Sequence, residues 1–264
     1  MSFTRSETLE LMCRSEHVPT LSGRFFKIKE VVNDSEADSH DLAAIIATDQ
    51  ATSSLVLRLA NSVHYNPAAT PVRKLSLAIA RLGFRETGNI ARSVALFSEF
   101  SVQLGYNNCR VLWAHAYAVA EMCKMIAEPF DLDPEEMFML GLLHDIGTAV
   151  LGLRVDLSFF ASNMGVLSGD ALVEAEQKNF GLDHTDAGGE MLRLWGFPAE
   201  MVRSVSEHHD STTKILAARI VLLADDEATV RFPYVNSIEK VHAILQEKHD
   251  EISKHLLESC RAMS

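Results

Sequence analysis

The sequence predicts an all-helical (all-α) protein. Three observations carry that prediction. Apolar residues recur at helical spacing, turn-forming Gly, Pro, Asn and Ser fall between the periodic stretches, and no segment keeps the period-two alternation of a strand. At 264 residues and 47% hydrophobic content, the chain buries enough surface to need no disulfide or metal staple.

Taken in order, Leu9 to Val32 reads as helix, break, helix: Pro19 follows the first part, and Leu21, Phe25, Ile28, Val31 and Val32 then share a face up to Asn33-Asp34-Ser35. Ser39 is placed to cap a helix holding Leu42, Ala43, Ile45 and Ile46, and Asp49 begins another with Leu55, Val56, Leu59 and Ala60. Asn61-Ser62 and the Pro67 to Pro71 stretch turn the chain. Leu75 to Leu82 and Thr87 to Phe97 then form helices separated at Gly83. The composition changes at Leu104-Gly-Tyr-Asn-Asn108, where longer helices begin. We therefore expect an N-terminal small helical bundle, residues 1–105, packed on a C-terminal helical domain, residues 106–264.

In the C-terminal domain, Val111 to Glu128 is strongly amphipathic and turns His115 inward. Pro134 sits in the first turn of the next helix, whose inner face carries Met137, Leu140, Gly141 and His144 up to Gly147. Ser168 to Asn179 stops at Gly181. Asp183-His184-Thr185 opens a helix ending near Trp195-Gly196, and Pro198 starts one reaching His208-His209. Ile215 to Asp226 puts Ala218, Leu222 and Asp225 in register. Trp113 and Trp195 read as core residues.

A net charge of −12 disfavours direct nucleic acid and anionic membranes as partners. The cysteines, Cys13, Cys109, Cys123 and Cys260, are far apart and read as thiols of a reducing compartment. Apolar stretches such as Met137 to Leu143 are cut before the roughly 18 residues a membrane span needs, and the N-terminus lacks the basic start and apolar core of a secretory signal. A cytoplasmic protein is the expectation.

Singly, a histidine on an apolar helix face is more often a satisfied core residue than a ligand. Here His115, His144-Asp145, His184, His208-His209 and Asp225 all fall on or beside inward faces of different helices. Imidazole nitrogen with carboxylate oxygen suits a divalent transition metal such as Fe, Mn, Zn or Co. Ligands from several helices converge only where those helices pack around a crevice.

His115, Leu-Leu-His144-Asp145-Ile-Gly and Asp225 within Leu-Leu-Ala-Asp together resemble the signature of HD-domain metal-dependent phosphohydrolases. Further matches resemble a narrower relative, the HDOD (HD-related output domain) family. They are Val18-Pro-Thr-Leu, Ile45-Ile-Ala-Thr-Asp49, Leu59-Ala-Asn-Ser62, Ala78-Ile-Ala-Arg-Leu-Gly83, Asp183-His184 and Trp195-Gly-Phe-Pro198. That resemblance implies an HD-type helical domain, a bacterial signal-transduction role and, in many members, loss of the ligand set. This chain keeps His115, His144, Asp145 and Asp225, and its His184, His208 and His209 are similar to further ligands of HD-GYP phosphodiesterases. It departs from those enzymes at Thr148, where they have lysine, and after His208-His209, where Asp-Ser-Thr replaces Gly-Tyr-Pro.

Two functional readings follow. In one, the chain is a regulatory module that retains one or two ions and acts on a signalling partner. Its Leu59-Ala-Asn61-Ser62-Val-His64-Tyr65 cluster is then either a partner surface or a capped turn. In the other it hydrolyses a phosphorylated small molecule with metal-activated water, using His144 and Asp145 as catalytic residues and Asp145 as the bridge between two ions. Arg154 or Lys124 could supply a cation toward the phosphate, although nothing in the spacing singles them out and both read as surface residues.

Overall fold

A computed structural model of the chain describes residues 2–13, 21–67, 70–163, 166–233 and 235–262, without the side chains of 102 and 106–108. The Val18-Pro-Thr segment and residues 68 and 69 lie outside the described residues. No strand occurs among the described residues, and the fold is all-α. By its contacts the chain divides into two compact units, Thr20–Glu99 and Met1–Pro19 with Phe100–Ser264.

The smaller unit holds α2 (Gly23–Asn33), α3 (Ser39–Ile46), α4 (Gln50–Ala60), α5 (Leu75–Leu82) and most of α6 (Phe84–Leu104). Asp38, one residue before the expected cap, closes a capping box with Asp41 on α3, and Asp49 caps α4 through the Thr52 N–H. Each such cap contributes about 1 kcal/mol. Asn61 is a turn staple. Its Nδ2 donates to the Leu57 and Val72 carbonyls at 2.8 Å, and its Oδ1 accepts from the Val72 N–H at 2.8 Å. Beside it, Val63 stands 86% exposed.

The larger unit contains α1 (Arg5–Cys13), α7 (Tyr106–Met125), α8 (Pro134–Leu143), α9 (Ile146–Arg154), α10 (Leu157–Asn163), α11 (Gly169–Phe180), α12 (His184–Leu194), α13 (Ala199–Ser206), α14 (Leu216–Arg231), α15 (Ile238–Glu247) and α16 (His249–Ala262). These bounds differ from a simple division at residue 105. The α1 helix belongs with the C-terminal helices because the Phe3 N–H donates to Asn179 O (2.7 Å), Thr8 Oγ1 to Phe180 O (2.8 Å) and Arg5 to Asp186 (2.9 Å). The join falls inside α6, which runs on past the expected end at Phe97.

Packing centres on α7, which carries α8 and α14, and on α9, which carries α12. Two glycines let these pairs close. A Cβ at Gly141 would meet Ala120 Cα at 2.6 Å, and one at Gly147 would meet the His184 carbonyl at 1.9 Å. Glycine is needed there for the closeness of the facing backbone.

Two expectations need correction. Pro134–Arg154 does reach the length and hydropathy of a membrane span, because the charges that would break it are confined to its ends and to Asp145; 83% of its most apolar window is buried inside the protein. Trp195 is only half-buried, because the last turn of α12 lifts it toward the surface, whereas Trp113 is 3% exposed.

Gly147→Ala should destabilise the protein by about 3 kcal/mol, the upper range of overpacking costs, since the obstacle is main chain. Gly23→Ala, with nothing within 4 Å, should be neutral or stabilising. Equal denaturation midpoints for the two variants would refute the close α9 to α12 contact.

Candidate metal centre

Six elements deliver the seven residues. His115 projects from the middle of α7. His144 is the C-cap of α8 and Asp145 the N-cap of α9, so the pair occupies the corner between two buried helices. His184 is the first residue of α12, whose N-cap Asp183 accepts from the Thr185 and Asp186 N–H groups. His208 and His209 fall in the turn just beyond α13, past the helix in which they were expected, and Asp225 sits within α14.

All seven side chains come together around Asp145. Its Oδ2 lies 3.4 Å from His144 Nε2 and 3.9 Å from His115 Nε2, and its Oδ1 lies 3.4 Å from His184 Nε2 and 3.9 Å from His208 Nε2. Asp225 is 2.8 Å from His115 Nε2 and 3.7 Å from His209 Nε2. Two donor groups result: His115, His144 and Asp145 form one, and Asp145, His184, His208 and His209 form the other. Within each, the candidate donor atoms all lie within 4.8 Å of one another.

Whether these residues suit a metal is decided by the buried rings. His144, His184 and His208 are 0% exposed, and the Nδ1 of each is held: to Gly141 O at 2.7 Å, to Glu176 Oε2 at 2.6 Å and to Val205 O at 2.7 Å. Their Nε2 atoms have no hydrogen-bond partner among the described residues. A buried polar atom left unpaired costs about 1–3 kcal/mol, and three in one place would be a heavy burden without a ligand. A neutral imidazole whose Nδ1–H is anchored presents its Nε2 lone pair, the form that coordinates a metal. The donor set fits a divalent transition metal. His242 shows the contrasting case, a buried histidine satisfied by Tyr117 Oη at 3.1 Å.

The charges are strongly shifted. Burial works against a charged His184, but the adjoining Glu176 carboxylate, with Asp145 and Asp183 beyond, raises it to about 10. Burial likewise opposes ionisation of Asp225, yet the hydrogen bond and charge of His115, followed by His144, hold its carboxyl at about 2. His208 is pushed well below the ordinary value, first by burial and then by His209, His144 and His184.

Glu176 was missed in the sequence. It is 1% exposed, and its Oε2 accepts from both the N–H and Nδ1 of His184. The signal was present: Leu172, Glu176 and Phe180 fall four apart on α11, placing a carboxylate on an apolar stripe. The expected cations do not reach the site. Lys124 pairs with Glu121 at 3.6 Å and Arg154 donates to Leu11 O at 3.3 Å.

The family model for the HDOD domain matches residues 18–211. This chain belongs to the HDOD family. Its fold is similar to that of an HDOD domain protein with unknown function from Geobacter sulfurreducens, at 22% identity and TM-score 0.70, covering 94% of this chain and 95% of that one. A protein of Shewanella amazonensis SB2B, provisionally assigned as a phosphohydrolase, is similar at 20% identity and TM-score 0.62, covering 96% and 95%. Among curated relatives, ribonuclease Y of Mycoplasmoides gallisepticum is 27% identical over 188 residues, 67% of this chain. The HDOD chain spans only 38% and 26% of the first two curated relatives it matches.

In the metal-free HDOD protein, His184 is raised above its unfolded value. The stability gained from Glu176 is therefore fully present below about pH 6.5 and is lost as pH rises through about 10. The unfolding free energy should fall across that window, and fall less in Glu176→Gln. Parallel pH profiles for the two proteins would sink the assignment of this pair.

Proposed function

We propose that this HDOD protein holds one or two divalent transition-metal ions between its seven histidine and aspartate residues, and hydrolyses a phosphate ester as part of a cytoplasmic signalling pathway. The observation that carries the reading is the trio of buried, anchored imidazoles whose unpartnered Nε2 atoms surround Asp145.

His115, His144, Asp145 and Asp225 would hold the first ion, and His184, His208 and His209 the second, with Asp145 shared. Bound there, the metal supplies an acidified water and a Lewis acid toward phosphate oxygens. The protein's own part is to fix the rings. Gly141 O, Val205 O and Glu176 fix three of them before any ligand arrives, so little reorganisation remains at the moment of reaction. Asp225, held ionised beside His115, supplies further negative charge to the cluster. The likeness to ribonuclease Y raises RNA as a substrate, but a chain of net charge −12 repels a polyanion.

A second reading has one specific observation in its favour. Thr148 stands one turn after Asp145, and neither Lys124 nor Arg154 lines the site, so developing negative charge meets no lysine or arginine there among the described residues. In that reading the metal-bound module senses a phosphorylated ligand and signals to a partner protein without turnover.

Protein purified without chelator should contain Fe, Mn, Zn or Co by elemental analysis, and His144→Ala with Asp145→Ala should remove it. With added Mn or Fe, wild type should hydrolyse a phosphomonoester or phosphodiester from a general panel at least about 100-fold faster than the double variant, the lower end for loss of an essential catalytic group. Metal without turnover on any substrate would select the sensing reading; absence of metal in the wild type would refute both.

A further inference from the structure

Five of the seven residues, His115, Asp145, His184, His209 and Asp225, line a cavity of about 300 Å³, at the low end of small-molecule sites. The cavity lies wholly within the larger unit. Away from the cluster its wall is mostly apolar, with Leu151, Phe159, Phe160, Leu172, Phe232 and Val235, and the polar side chains Asn163, Ser168 and Thr229 there are neutral. No lysine or arginine is among its lining residues, and Met164, Gly165 and Tyr234, which adjoin the lining in sequence, carry no positive charge. The basic residues that adjoin the lining in sequence are engaged by other partners: Arg110 donates to Asn236 O at 2.9 Å, and Arg231 pairs with Glu227 and, at 2.7 Å, with Glu251. Glu176 adds a carboxylate to the wall.

One further lining group is unusual. Thr148 is 6% exposed, and its Oγ1 has no hydrogen-bond partner among the described residues. Buried hydroxyls are normally satisfied, so this one calls for a ligand acceptor beside Asp145. Together these features describe what the cavity can hold. A single phosphate is compensated by the metal cluster and by the Thr148 hydroxyl, whereas a second phosphate would enter a wall with no cation and a resident carboxylate. The remaining space rewards an apolar body.

We infer that the ligand of this site is a small molecule with one phosphate on a neutral, largely apolar body, and that Thr148 and Leu172 determine this specificity. The inference rests on the metal-centre reading above. It excludes dinucleotides and nucleic acid, whose charge and size the wall does not accommodate.

The test is calorimetric titration of Mn-loaded protein with inorganic phosphate, hexyl phosphate and adenosine 3′,5′-bisphosphate. A buried methylene is worth about fourfold in affinity, so hexyl phosphate should bind at least about tenfold tighter than inorganic phosphate even if only part of its chain is covered. The bisphosphate should bind no tighter than inorganic phosphate. Leu172→Ser, at a half-buried position that tolerates a polar side chain, should cut the hexyl-to-inorganic ratio several-fold. Thr148→Val, compared at equal metal content, should weaken both phosphates. Equal binding of hexyl and inorganic phosphate, or tighter binding of the bisphosphate, would overturn the ligand class while leaving the metal centre standing. Failure to take up Mn at all would overturn the metal reading and this inference with it.

Discussion

Everything at the centre depends on how three imidazole rings are held from behind. His144 and His208 each turn Nδ1 back to the carbonyl three residues earlier, at the ends of α8 and α13, where carbonyls have no helical partner of their own. His184 cannot do so, because it begins a helix rather than ending one, and Glu176 from α11 takes the role of the carbonyl. Helix termini thus supply two of the acceptors and the Glu176 carboxylate the third, and the opposite ring nitrogens converge. The ring positions are set from behind by two backbone carbonyls and one carboxylate of the fold.

The fold serves that convergence through close backbone approach. Gly141 lets α8 sit against α7, bringing His144 beside His115, and Gly147 lets α9 sit against the start of α12, bringing Asp145 beside His184. Each gap admits no methyl group. The ledger of charge is equally tight: Asp145, Asp225 and Glu176 are set against five histidines in a low-dielectric interior, which is why the rings differ so widely in basicity.

Much of this was legible in the sequence. The α5 bounds, the Asp49 cap, the start at Pro134, the stop at Gly181 and the inward face of His115 follow from local rules, since spacing and capping are short-range properties. The convergence of the seven residues was legible because polar groups on apolar faces are costly and therefore noticeable. What escaped was set by long-range packing. The partnership of α1 with the C-terminal helices rests on contacts such as Thr8 with Phe180, which no local pattern announces. The end of α14 beyond Asp226, α15 and α16 also lie outside what the local spacing marked. The role of Glu176 depended on which helix would lie behind His184, and that only the tertiary structure supplies.

Asp145 has two oxygens, and each faces a different group of histidines. A shared anion of this kind cannot serve both sides at full strength: an ion drawn to one oxygen would polarise the carboxylate and leave the other a poorer donor. The two halves would then fill in sequence rather than together, with unequal affinities.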